Sequence, residues 1–124
     1  MKLIISIIFL ISSQILLAQN DNKIIGNWIT NDGMRKIKVY TKNNKYHGVI
    51  YWVKNSNNQK EIGEIIFKNL ELVGKEFENG TFKMPSEEHN ANCSAIFLNN
   101  IKLKFTIYHG LKIFGHNIYL TKID

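Results

Sequence analysis

Apolar and polar side chains alternate one by one from Ile101 to Tyr108, near the carboxyl end of the chain. Successive side chains of a β-strand point to opposite faces of the sheet, so this alternation predicts a strand with one buried face and one face in water. The dipeptide His109-Gly110 follows directly and predicts a turn that ends the strand. The buried face of this strand is predicted to carry Ile101, Leu103, Phe105 and Ile107.

Similar segments recur along most of the chain. Turn residues such as Asp32-Gly33 and Asn99-Asn100 separate them. The interval Glu61–Leu72 allows either a short strand or one helical turn. Seven or eight short strands at regular spacing predict an all-β fold, either a barrel or a sandwich. The other predicted strands cover residues 24–30, 34–41, 46–54, 76–84, 93–98 and 112–123.

The first residues have the pattern of a signal peptide. Lys2 precedes a mostly apolar stretch that runs to Leu17, and Ala18 is a small residue suited to cleavage. A membrane-spanning helix needs about 20 apolar residues, which is more than this stretch offers, so we expect no stable membrane anchor. We therefore predict a signal peptide over 1–18, a polar linker over 19–23 and a single β-barrel domain over 24–124. The protein is expected to be exported, and to be periplasmic or secreted.

The chain is basic, with a formal net charge of +6, a property shared by many nucleic-acid-binding proteins. However, Arg35 is the only arginine, and the lysines are dispersed rather than grouped. Arginine is the side chain best suited to bind phosphates and read base edges. We therefore expect no nucleic-acid partner. Cys93 is the only cysteine, so no internal disulfide is available and packing must hold the domain together.

A short motif near the predicted first strand indicates the type of barrel. Gly26-Asn27-Trp28 resembles the G-x-W opening of lipocalin-type barrels. The resemblance implies that Trp28 plugs the closed end of the barrel, and that a cationic side chain from the last strand lies across the ring. Lys122 is the candidate for that cation. A large ring seals a core well, and a cation on its face is attracted to it.

More of the chain, from about Ile25 to Ile123, resembles a family of exported bacterial proteins grouped as domain of unknown function 2147. Met84, Thr106 and Leu120 stand where that family usually has an aspartate, an arginine and a tryptophan. The resemblance implies a small antiparallel up-and-down β-barrel of lipocalin-like type, with about eight strands and no established activity. It rests on Gly26–Thr30 with Asp32-Gly33, Tyr46–Trp52, Gly80–Pro85, Tyr108–Gly110, Phe114–His116 and Leu120–Lys122.

Alternation along the strands predicts which side chains line the barrel. If Lys122 faces Trp28, every second residue before it faces the interior as well. His116 would then be a polar group in an apolar lining, where it either orients a ligand or bonds to a backbone carbonyl as a core histidine. The predicted ligand-binding residues are Trp28, Ile50, Trp52, Phe114, His116 and Ile118.

No catalytic or metal-binding signature is apparent in the sequence. Glu87, Glu88 and His89 lie near Cys93, but their spacing is not that of a closed zinc site. A nucleophile–base pair of Cys93 and His116 would rest on residue type alone. We therefore expect no enzymatic activity, no metal and no cofactor.

Two functions follow from the predicted barrel. In the first, the barrel binds a small apolar or amphipathic molecule. In the second, its core is filled and the protein acts as an envelope or protein-interaction module without a ligand. An eight-stranded barrel is wide enough for either arrangement. An open, lined cavity would favour the first function, and a filled core would favour the second.

Overall fold

A computed structural model describes residues 23–124 as a closed antiparallel barrel in which each strand pairs with its neighbours in sequence and the last pairs with the first. This confirms the predicted all-β barrel of about eight strands. The predicted signal peptide lies outside the described residues, as does most of the linker. The strands are β1 (Gly26–Thr30), β2 (Arg35–Lys42), β3 (Lys45–Val53), β4 (Ile65–Val73), β5 (Glu76–Phe82), β6 (Ala91–Asn99), β7 (Lys102–Tyr108) and β8 (His116–Lys122).

Two connections contain short 3-10 helices, Ser56–Glu61 before β4 and Lys112–Phe114 before β8. Most of the interval left open by the sequence becomes strand β4, which carries a left-handed residue at Asn69, with φ of 64°, while Glu61 ends the first 3-10 helix. The last strand starts at His116, later than predicted, because the preceding residues form a helical turn. No helix within residues 23–124 is long and apolar enough to cross a membrane.

The middle of the barrel is filled by side chains. The rings of Phe67 and Phe105 lie 4.8 Å apart between their centroids, and both residues are almost fully buried. Gly48 faces the Phe67 ring so closely that an added Cβ would lie 2.6 Å from the ring Cζ. Interiors packed to this density leave little room for a guest molecule. The largest fully buried side chains are Trp28, Phe67, Phe77, Phe105, Ile24, Ile37, Ile50, Leu70, Leu103 and Leu120.

The two ends of the barrel differ. At one end, Arg35 donates two hydrogen bonds to the Glu61 carboxylate, of 2.6 and 3.1 Å, and so joins β2 to the first 3-10 helix. At the other end lie Lys23, the C-terminus and the β2–β3, β4–β5 and β6–β7 turns. We call this second end the Trp28 end, because that residue lies in β1 close to it.

Candidate functional site

Trp28 seals its end of the barrel as the lipocalin resemblance implied. The residue is fully buried, and its indole Nε1 donates a 2.9 Å hydrogen bond to the carbonyl of Ile24. Lys122, its partner in the β1–β8 ladder, places Nζ 5.4 Å from the ring centroid. That ammonium also donates to the carbonyls of Lys23, at 2.6 Å, and Ile25, at 3.0 Å. The cation therefore fixes the segment leading into β1 as well as covering the ring.

The six predicted ligand-binding residues do not line one cavity. Trp28 and Ile50 are fully buried in the core, and Ile118 packs against it while half-buried. His116 pairs with buried Ile107, so it shares the inner face, but it is the first residue of β8 and is exposed to solvent. These four side chains therefore lie on the inner face of the barrel, as the alternation predicted.

The inward placement of Trp52 and Phe114 is wrong, for two different reasons. A β-bulge shifts the β2–β3 register, so that Ile37 pairs with Ile50 while Lys36 pairs with Trp52. An extra residue reverses the face of all that follow it, and Trp52 lies instead against the Lys36 ammonium, 4.6 Å from the ring centroid. Phe114 belongs to a 3-10 turn rather than a strand and is 78% exposed.

A cleft opens at the Trp28 end where two hairpins diverge. Within the described residues, the β5–β6 ladder runs no further toward this end than Phe77 and Ala95, although β6 continues to Asn99. The β4–β5 and β6–β7 hairpins therefore separate and leave a cavity of about 370 Å³ between them. It is lined by Lys23, Leu72, Gly74, Lys75, Phe77, Ile96, Phe97, Asn99 and Asn100.

The floor of the cleft is aromatic. Phe77 and Phe97 meet edge to face with centroids 6.2 Å apart, and Phe97 lies 6.0 Å from the Trp28 ring. Leu72 adds an apolar wall and is only partly buried. The cleft thus reaches from solvent to Phe97, which packs against the Trp28 ring, and it offers a guest molecule apolar surface that is not already filled.

The rim of the cleft is basic. Lys23 and Lys75 contribute ammonium groups, and the lining includes no carboxylate. On the other side of the β4–β5 turn, a second cavity of about 560 Å³ shares Leu72 but carries a paired charge, with Lys45 Nζ 3.1 Å from the Glu71 carboxylate. Of these two cavities, it is the first that combines an aromatic floor with lysines that form no ion pair.

Thiol chemistry at Cys93 is disfavoured by its surroundings. Burial, with a smaller contribution from Glu78, raises the pKa of the Cys93 thiol to about 12, so the nucleophilic thiolate is scarce near neutral pH. Cys93 and His116 pair with Ile107 from opposite sides, which separates them by about 10 Å, or two strand spacings. No group of three or more metal-ligating side chains occurs within residues 23–124.

The cleft was not predicted from the sequence, because it depends on how two hairpins are placed in the folded barrel and not on any local sequence pattern. Phe77 and Phe97 occupy ordinary inward positions on their strands, and nothing local separates them from core residues. The cleft exists because the β4–β5 hairpin turns back at Gly74 and Lys75, while β6 continues beyond its last pairing with β5 to Asn99.

Comparisons with known proteins place the chain among bacterial proteins. A family described as an uncharacterized protein conserved in bacteria, DUF2147, matches residues 26–122. No curated protein matches the chain. The solved structure of protein HP1028 from the human pathogen Helicobacter pylori, described as belonging to the lipocalin family, is similar with a TM-score of 0.67 and 13% sequence identity. The match covers 81% of this chain and 82% of that protein, and it bears on the fold alone.

Proposed function

The chain belongs to the bacterial family DUF2147 and folds as a lipocalin-like barrel, and we propose that it is a binding protein for a small apolar or amphipathic molecule. The observation that carries this proposal is the open cleft at the Trp28 end, with its aromatic floor. Ligand sites are typically concave, mostly apolar and about 300–1,000 Å³ in volume, with a few polar groups for orientation. The 370 Å³ cleft meets these conditions.

The proposed location differs from the barrel interior that the sequence suggested. Side chains such as Phe67 and Phe105 occupy the centre, and Gly48 is pressed against one of these rings. A guest there would have to displace packed side chains, whereas in the cleft it would bury Phe97 and Leu72 surface that faces solvent. Burial of apolar surface is favourable by about 25 cal/mol per Å², so the cleft is the better site.

Titration with N-phenyl-1-naphthylamine, an uncharged fluorescent dye, tests the proposal. The dye is expected to bind the native protein and to stabilise it by about 2.7 kcal/mol at a hundredfold excess over its dissociation constant, because it binds the folded state alone. Leu72→Gln, which puts a polar amide into the apolar wall, should weaken dye binding about tenfold.

Two residues from the sequence-based list serve as matched controls. Trp52→Ala and Phe114→Ala remove large rings outside the cleft, so dye affinity should stay at the wild-type value in both. Loss of affinity in either control with none in Leu72→Gln would move the site elsewhere and overturn the assignment to the cleft.

A second candidate function is supported by the filled core and by an exposed apolar turn. Leu111, Ile113 and Phe114 are 65%, 83% and 78% exposed, and they lie together before β8. Contiguous exposed apolar side chains often mark protein interaction sites. If the dye neither binds nor stabilises the native protein, the chain is better described as a protein-interaction module without a small ligand.

We also propose that the protein works outside the cytoplasm. The support is the signal-peptide pattern of residues 1–18 and the small residue Ala18 at its end. Protein recovered from the envelope or the medium is expected to have an intact mass lower by about 18 residues. An intact mass that includes Met1 would contradict export by this route.

A further inference from the structure

We propose, on the basis of the binding function proposed above, that the ligand of the cleft carries an anionic group held at the rim by Lys75 and Lys23. Both residues line the cleft, and within residues 23–124 neither ammonium forms an ion pair. Two positive charges beside an apolar floor attract a molecule with an acidic head and an apolar body.

Two other lysines near this end of the barrel are already engaged. Lys45 pairs with Glu71 at 3.1 Å, and Lys122 donates to two backbone carbonyls. Lys42 and Lys102 also lie at this end without an ion pair among residues 23–124, but Lys23 and Lys75 are the lysines that line the cleft.

The rim is also held in place and is rich in hydrogen-bond donors. The carbonyl of Lys23 accepts a bond from Lys122, which fixes the backbone from which its side chain extends. The side-chain Oδ1 of Asn99 accepts the backbone N–H of Ile101 at 2.9 Å, so its amide nitrogen is the part left to meet a ligand. Two ammoniums and an amide N–H group favour an acceptor such as a carboxylate over a donor.

Probes with one tail and different heads test this inference. Decanoate, decanol and decyltrimethylammonium would each displace the naphthylamine dye at concentrations below micelle formation. Decanoate is expected to bind about three- to tenfold more tightly than decanol, the scale of one or two partly exposed charged contacts, and the cationic probe more weakly than decanol. Added salt should reduce the advantage of decanoate, because both lysines are exposed.

Substitution of Lys75 tests whether the tighter binding of decanoate depends on the rim of the cleft. Lys75→Gln should lower decanoate affinity by about threefold and leave decanol affinity unchanged, and Lys75→Glu should make the cationic probe bind more tightly than decanoate. Lys68→Gln, on an exposed position of β4 away from the cleft, is the matched control and should change neither affinity.

The outcomes separate the two proposals. If the dye and decanol bind but decanoate binds no better, the anionic head is overturned while the binding function stands. If decanoate binds better but Lys75→Gln and Lys68→Gln behave alike, the placement of the head at Lys75 is overturned. If neither the dye nor any tailed probe binds, the binding function fails and the inference fails with it.

Discussion

Replacing Trp28 with alanine is expected to lower the free energy of unfolding by about 3–5 kcal/mol, the usual scale for deletion of a large buried aromatic side chain. The ring is fully buried, and it contacts Phe97 and donates to the Ile24 carbonyl. Its loss would leave a cavity at the sealed end of the barrel and an unpaired carbonyl. It would also remove the face on which the Lys122 ammonium rests.

Urea denaturation followed by far-ultraviolet circular dichroism measures this effect without relying on tryptophan fluorescence. Trp52→Ala is the matched control, since that ring lies on the outer face beneath Lys36 and should cost about 1 kcal/mol or less. Equal midpoints for Trp28→Ala and wild type would show that Trp28 does not seal the core.

Gly48→Val is expected to destabilise the protein by about 3 kcal/mol, although valine is among the best strand formers. An added Cβ would lie 2.6 Å from Cζ and 2.7 Å from Cδ1 of Phe67. The Phe67 ring cannot retreat easily because Phe105 packs against it at 4.8 Å. Strand propensity alone predicts that Gly48→Val stabilises the protein, whereas core packing predicts that it destabilises the protein. We expect the packing effect to be the larger of the two.

A double-mutant cycle with Phe67→Leu isolates the overlap. The smaller side chain at position 67 should relieve much of the strain, so the double variant should be more stable than the sum of the two single changes predicts. Chemical denaturation of the four proteins gives the coupling free energy. Strict additivity, or a stabilising effect of Gly48→Val, would refute the packing argument.

Regular alternation made most of the barrel predictable. The run from Lys102 to Tyr108 forms β7, although Ile101, predicted on its buried face, lies in the preceding turn and is 56% exposed. Trp28 and Lys122 meet as the G-x-W resemblance implied. Where alternation fails inside a strand, a register shift accompanies the failure. In β4, Ile66 and Phe67 are both buried although adjacent, and the β3–β4 register shifts twice nearby, which explains why this interval looked ambiguous.

The candidate site was less predictable than the fold. The prediction at Trp52 failed because a bulge changes the face of a strand without any required residue type. Phe114 was assigned to a strand because its apolar neighbours suggested one, yet Gly115 N–H bonds to the Lys112 carbonyl and closes a helical turn. The cleft itself depends on where two hairpins part, which no short stretch of sequence encodes.

The β1–β8 pairing has a consequence for association between molecules. All other ladders join strands that are consecutive in the chain, whereas this one joins Trp28 to Lys122 and is only three residue pairs long. A chain truncated before β8 would leave β1 and β7 as open edges with unpaired backbone groups, and such edges recruit strands from other chains. The seven residues of β8 therefore protect the protein against aggregation, because they occupy the backbone hydrogen-bonding groups of β1 and β7 that another chain could otherwise pair with.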